Sequence, residues 1–163
     1  MALKAKTLED ELLRQSEAAA NGQTITYGDF VSAMEKYALG LQNPPPLGVI
    51  PAAAVLKGLL DSIPTNPPLP IATPLIKLAV QLFALGIGFA VPIGKGLVFP
   101  TIPPMGQPAI DSILAQPNSR EQVAKQLSNA IHTYMITGQY DAFGFVIPPP
   151  TGPTPTPGPT PWT

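Results

Sequence analysis

The sequence predicts a mainly α chain: a small irregular helical domain with Pro-rich extended connections, one C-terminal β-strand and an extended polyproline arm. Three observations predict it. Apolar residues recur at helical intervals in several short runs, two of them opened by a capping residue with an acid or amide three positions on. Those runs are parted by proline, which supplies 23 of 163 residues, about three times its ordinary share of about 5 %. The last sixteen residues, PPPTGPTPTPGPTPWT, hold no charge and no aliphatic side chain, so they have no face with which to fold. Proline fixes φ and removes a backbone donor, and such a stretch runs as a solvated polyproline II strand.

The N-terminal helix is read with Thr7 as its cap, with Glu9, Asp10 and Glu11 in the first turn where the helix dipole favours acids, and with Asn21-Gly22 as its stop. Its apolar face is thin: Leu8, Leu12 and Leu13 precede three alanines, which predicts shallow packing or packing on a partner. A second helix starts at Thr26 with Asp29 as the capping-box acid, and Tyr27, Phe30, Met34, Tyr37 and Leu41 form a seam that must be buried. The three prolines of NPPPLGVIP then interrupt the chain. A short third helix runs from Pro51 to Pro64 with Leu56, Leu59, Leu60 and Ile63 on one side, followed by an extended TNPPLPIATP.

The most apolar segment is 74–100, PLIKLAVQLFALGIGFAVPIGKGLVFP. Seventeen uncharged residues separate Lys77 from Lys95, the lower edge of the roughly 17 to 25 that span a bilayer. Gln81, Gly86, Gly88 and Pro92 weaken a single span, and aromatic anchors are lacking at both ends. The favoured reading is a core or partner-facing helix, and the alternative is a membrane-active or membrane-anchored protein that uses 74–100. Pro108 opens a short helix with Ile110, Ile113 and Leu114, and Ser119 with Gln122 makes a capping box for a helix carrying Val123, Leu127, Ala130, Ile131 and Tyr134. Gly138 ends it. The stretch 139–147, QYDAFGFVI, alternates as a strand with Asp141, Phe143, Phe145 and Ile147 on one side, and lacks an evident partner strand within the chain. Four segments result: an N-terminal helical pair at 1–42, a Pro-rich apolar middle with short helices at 43–118, a C-terminal helix and strand at 119–147, and the arm at 148–163.

Charged residues form 12 % of the chain against a usual figure of about 25 %, while 45 % are hydrophobic. So few groups that insist on water predict association. A net charge of −1, with nine dispersed Lys and Arg, carries no footprint for nucleic acid. Cysteine is absent, which removes disulfides and thiolate metal sites, and the acidic N-terminal stretch lacks the apolar run of a signal peptide.

No residue set names a reaction. The single histidine, His132, has neither a nucleophile nor an orienting acid beside it in the sequence and reads as a surface or interface residue. Glu9, Asp10, Glu11 and Glu17 read as a solvated helix face, and Asp29, Asp61, Asp111 and Asp141 are scattered singly. Gly86-Ile-Gly88 and Gly94-Lys95-Gly96 lack the spacing of a phosphate loop, and read as sites of close packing. The chain is accordingly read as no enzyme, with no cofactor. What remains is contact, for which Tyr27, Phe30, Tyr37, Phe83, Phe89, Phe143, Phe145, Ile147 and Trp162 are the candidate residues. Trp162 on a stiff tether reads as a plug for a pocket on an adjacent subunit.

The start MALKAKTLEDELLRQS, the helix ending LSNAIHTYMITGQY and the passage into VIPPPTGPTPTPGP resemble the small Pro-rich accessory virion proteins of tailed bacteriophages. The resemblance implies a non-enzymatic structural component of tail, baseplate, neck or capsid. It further implies synthesis in a host cytoplasm, residence in the virion, and other virion structural proteins as partners in a symmetric multi-copy assembly. On this reading, deletion of residues 148–163 leaves helical content unchanged, by circular dichroism, and weakens incorporation into particles.

Overall fold

The computed structural model describes residues 3–41, 48–61, 69–89, 97–98, 101–102, 104–140, 145–146 and 160–163. It is mainly helical. Among the described residues there are six helices, α1 (Ala5–Ala20), α2 (Tyr27–Ala38), α3 (Val49–Leu60), α4 (Leu69–Phe89), α5 (Asp111–Ala115) and α6 (Arg120–Met135). No strand among them exceeds two residues. β1 (Leu97–Val98) pairs antiparallel with β4 (Phe145–Val146), while β3 (Gln139–Tyr140) lies between β2 (Thr101–Ile102) and β5 (Thr160–Pro161).

Both capping boxes form as the sequence predicts. Thr26 Oγ1 accepts from the Asp29 backbone N–H, and the Asp29 carboxylate accepts from the Thr26 N–H at 2.8 Å. Ser119 and Gln122 repeat the arrangement at the start of α6. Four predicted starts shift, α3 opening at Val49 rather than Pro51 and α5 at Asp111 rather than Pro108. α1 begins beyond Lys4, with no side-chain cap, so Thr7 lies inside the helix. α4 begins at Leu69 rather than after the proline passage, and carries Pro74 within it. Proline is tolerated near a helix start because the first four N–H groups have no intrahelical acceptor, which accommodates Pro70; the bond lost at Pro74 is offset by apolar burial further along.

The core is one cluster drawing on every part of the chain, from Leu3 and Leu8 through Met34, Val49, Phe83, Ile110 and Ile131 to Trp162. α1 packs chiefly on α6, α2 on α3, and α3 on α4. The N-terminal helical pair and the C-terminal helix thus share an interior, and the thin apolar face of α1 is covered by α6 of the same chain. α3 and α4 approach closely where Gly86 meets Ala52: a Cβ on Gly86 would stand 2.8 Å from that of Ala52. This is the close-packing role anticipated for the glycine.

The C-terminal residues correct two expectations. The stretch 139–147 is not without partners, because its described ends pair with 97–98, 101–102 and 160–161 of the same chain. Pro100 within LVFPTI hides those partners from a reading of alternation. Residues 141–144 and 147, including Phe143 and Ile147, lie outside the described residues, as do 148–159 of the proposed arm. Trp162 is fully buried in its own chain, where its backbone N–H donates to the Gly138 carbonyl at 2.9 Å. A Cβ on Gly138 would fall 2.5 Å from the indole Cδ2, so glycine is required for the ring to seat.

Two consequences can be measured. Trp162→Ala lowers unfolding free energy by about 3 to 5 kcal/mol, the usual result of emptying an aromatic core site, and Gly138→Ala by about 1 to 3 kcal/mol through overpacking. Urea titrations check both. Deletion of 148–163 therefore acts as a core truncation, and a stability equal to that of the full chain would contradict the burial of Trp162.

Candidate interaction surface

Most of the aromatic residues anticipated as contacts serve the interior. Phe30, Tyr37, Phe83 and Trp162 are buried, and Tyr27 is packed against the core with partial exposure. Their helical spacing marks burial, and the chain supplies that burial itself. Phe89 lies in the last position of α4 and Phe145 in β4.

Two polar links missed in the sequence hold the helices in register. Tyr37 Oη lies 2.7 Å from His132 Nδ1, with the rings edge to face at 6.0 Å. Burial pushes the Tyr37 hydroxyl well above its ordinary range and pulls the His132 imidazole below its own. Both groups are then neutral at neutral pH, and the imidazole tautomer sets which of the two donates. The pair joins α2 to α6 across 95 positions of sequence, which no local pattern signals. His132 is thereby a half-buried structural residue.

The second link centres on Glu11, which is 9 % exposed and so not part of a solvated face. It bonds Lys36 of α2 and, at 3.1 Å, Arg14. The Lys36 ammonium holds the Glu11 carboxyl below its usual range against the upward push of burial, with Arg14 adding to the effect. One turn on, Gln15 donates to the Asp29 carbonyl at 2.7 Å. At the same end of α2, Thr26 also donates to Asp61 Oδ1 at 3.3 Å, which ties the end of α3 to the start of α2.

These groups stabilise helix contacts and do not converge on a shared cavity. A groove lined by Leu12, Ser16, Asn118, Arg120, Val123 and Leu127 contains one ionisable side chain. Among the described residues no group of three or more His, Asp or Glu side chains could hold a metal ion.

The unusual surface lies on α3 and α4. Ile50 and Val55 of α3 are 59 % and 65 % exposed, and Ile71, Leu78 and Leu82 of α4 are 54 %, 44 % and 41 % exposed. The opposite face of α4, with Ala79, Val80, Phe83, Ala84 and Ile87, is buried. Lys77 is held by Asp111 at 2.8 Å, and Gln107 donates to Gln81 at 3.1 Å, so the helix is also anchored to the segment around α5. Among the described residues no helix is long and apolar enough to cross a membrane.

No family model, curated protein or solved structure matches the chain.

The buried imidazole makes stability depend on pH in a defined sense. Its folded pKa lies below the unfolded value of 6.5, so the unfolded state binds the proton first as pH falls. Stability present above that value is then lost on acidification. The urea midpoint falls as pH is lowered from about 7 to about 5.5, and His132→Gln flattens this dependence, because no other side chain ordinarily titrates in that window.

Proposed function

We propose that this chain is a non-enzymatic structural component of a bacteriophage particle, at the tail, baseplate or neck or as a capsid accessory, which binds neighbouring subunits through its apolar surface. The observation that carries the reading is the exposed aliphatic set on α3 and α4, Ile50, Val55, Ile71, Leu78 and Leu82, in a chain with only 12 % charged residues. Large aliphatic side chains held in water on adjoining helices favour a protein contact. The contact residues in this reading differ from Phe30, Tyr37, Phe83 and Trp162, which complete the core. The likeness of the N-terminal helix, the α6 terminus and the Pro-rich passage to phage accessory proteins supports the assignment to a virion.

In the same reading, residues 148–163 form an extended polyproline arm whose Trp162 returns to Gly138. The arm then stabilises the subunit, and the helical face makes the contact. The test is quantitative mass spectrometry of purified particles from the phage that encodes the chain. Recovery at a fixed copy number per particle is expected. Absence from particles, with the polypeptide present in the infected lysate, overturns the assignment.

A further inference from the structure

The outer face of α4 has a regularity that general exposure does not require. Ile71, Leu75, Leu78, Leu82 and Leu85 follow one another at spacings of four, three, four and three, and Phe89 occupies the next position of the same series. This is the a/d pattern of a coiled coil, in which a stripe repeating every 3.5 residues on average faces a second helix along its length. Ile71, Leu78 and Leu82 are exposed, while Leu75 and Leu85 are half-buried. The stripe is distinct from the face that meets the core, which is carried by Ala79, Val80, Phe83, Ala84 and Ile87. Among the described residues α4 therefore has two apolar faces, of which only the inner one is fully buried.

We propose that this stripe is a homotypic docking seam, onto which α4 of a second copy of the chain packs antiparallel about residue 80. The inference names the partner for the assembly role above, and its biological use rests on that reading. Two features favour a second copy over a different protein. The positions flanking the stripe are Ala72, Pro74, Ala79, Gln81, Gly86 and Gly88, none of them charged. Seams that select a different helix carry complementary charges at those positions, whereas an uncharged flank offers a copy no like-charge repulsion. The series is also self-complementary on reversal. In an antiparallel pair each a position meets a d position, and a two-fold axis at residue 80 sets position 71 against position 89, 75 against 85 and 78 against 82. Every member of the series thus finds another member, and the contact is closed and isologous.

Sedimentation velocity on the purified full chain is expected to show a concentration-dependent species of twice the 17.1 kDa monomer mass. The double variant Leu78→Glu, Leu82→Glu sediments as monomer with an unchanged circular dichroism spectrum, because both positions face water in the single chain. A chain that is monomeric at every accessible concentration, or a dimer that survives the double substitution, overturns the seam. The register is tested separately, since the natural sequence has no cysteine. Leu75→Cys and Leu85→Cys chains are mixed and oxidised. The antiparallel register gives the mixed disulfide, because identical positions stand about 15 Å apart along the pair. Predominant Leu75→Cys homodimers would instead indicate a parallel pairing and refute the two-fold at residue 80. These outcomes are independent of particle composition: a dimer absent from virions leaves the seam standing without its assembly role, and a virion protein that stays monomeric loses the seam alone.

Discussion

One constraint governs the architecture: α4 carries apolar residues on its inner and outer faces, and among the described residues only the inner face is fully buried. The close contact of Gly86 with Ala52 settles which side, because it draws α3 against α4 and commits Val80, Phe83 and Ile87 to the interior. The remaining aliphatic residues are left facing water. In a chain with a normal content of charge this surface would be punctuated by Lys and Glu, but here charge is confined largely to α1, α2 and α6. Surface character thus divides along the chain, with polar helices at the ends and an apolar pair between them.

The polar helices are joined by a small number of directional contacts. Glu11 with Lys36, Gln15 with the Asp29 carbonyl, and Tyr37 with His132 each link two different helices. Buried polar groups of this kind contribute modest net stability, but leaving one without its partner is expensive, so they fix which helix faces lie together. α1 needs such help. Its apolar stripe is narrow, and its buried Leu8 is accompanied by Glu11 and Gln15.

Local chemistry was legible and long-range pairing was not. Thr26 with Asp29 and Ser119 with Gln122 announce helix starts because a cap is satisfied within three residues. The start of α1 was misplaced because Lys4 caps it through backbone alone, and that of α4 because the prolines at its N-terminus look like an interruption. Periodicity shows that Phe30 and Tyr37 are buried, but not by which molecule, and their own chain supplies the cover. Trp162 was the extreme case, since its pocket is formed at Gly138, where a missing side chain leaves no signal. The exposed face of α4 left a trace in the spacing of its leucines, obscured by attention to the absence of charge.

Trp162 also orders events in time. Among the described residues every other buried core side chain lies at or before Met135, so on the ribosome those side chains emerge well ahead of the indole that completes their packing. The nascent chain can gather its helices early, yet the site beside Gly138 stays open until translation has passed residue 162. The tryptophan therefore links the finished packing of the early helices to a residue made long after them.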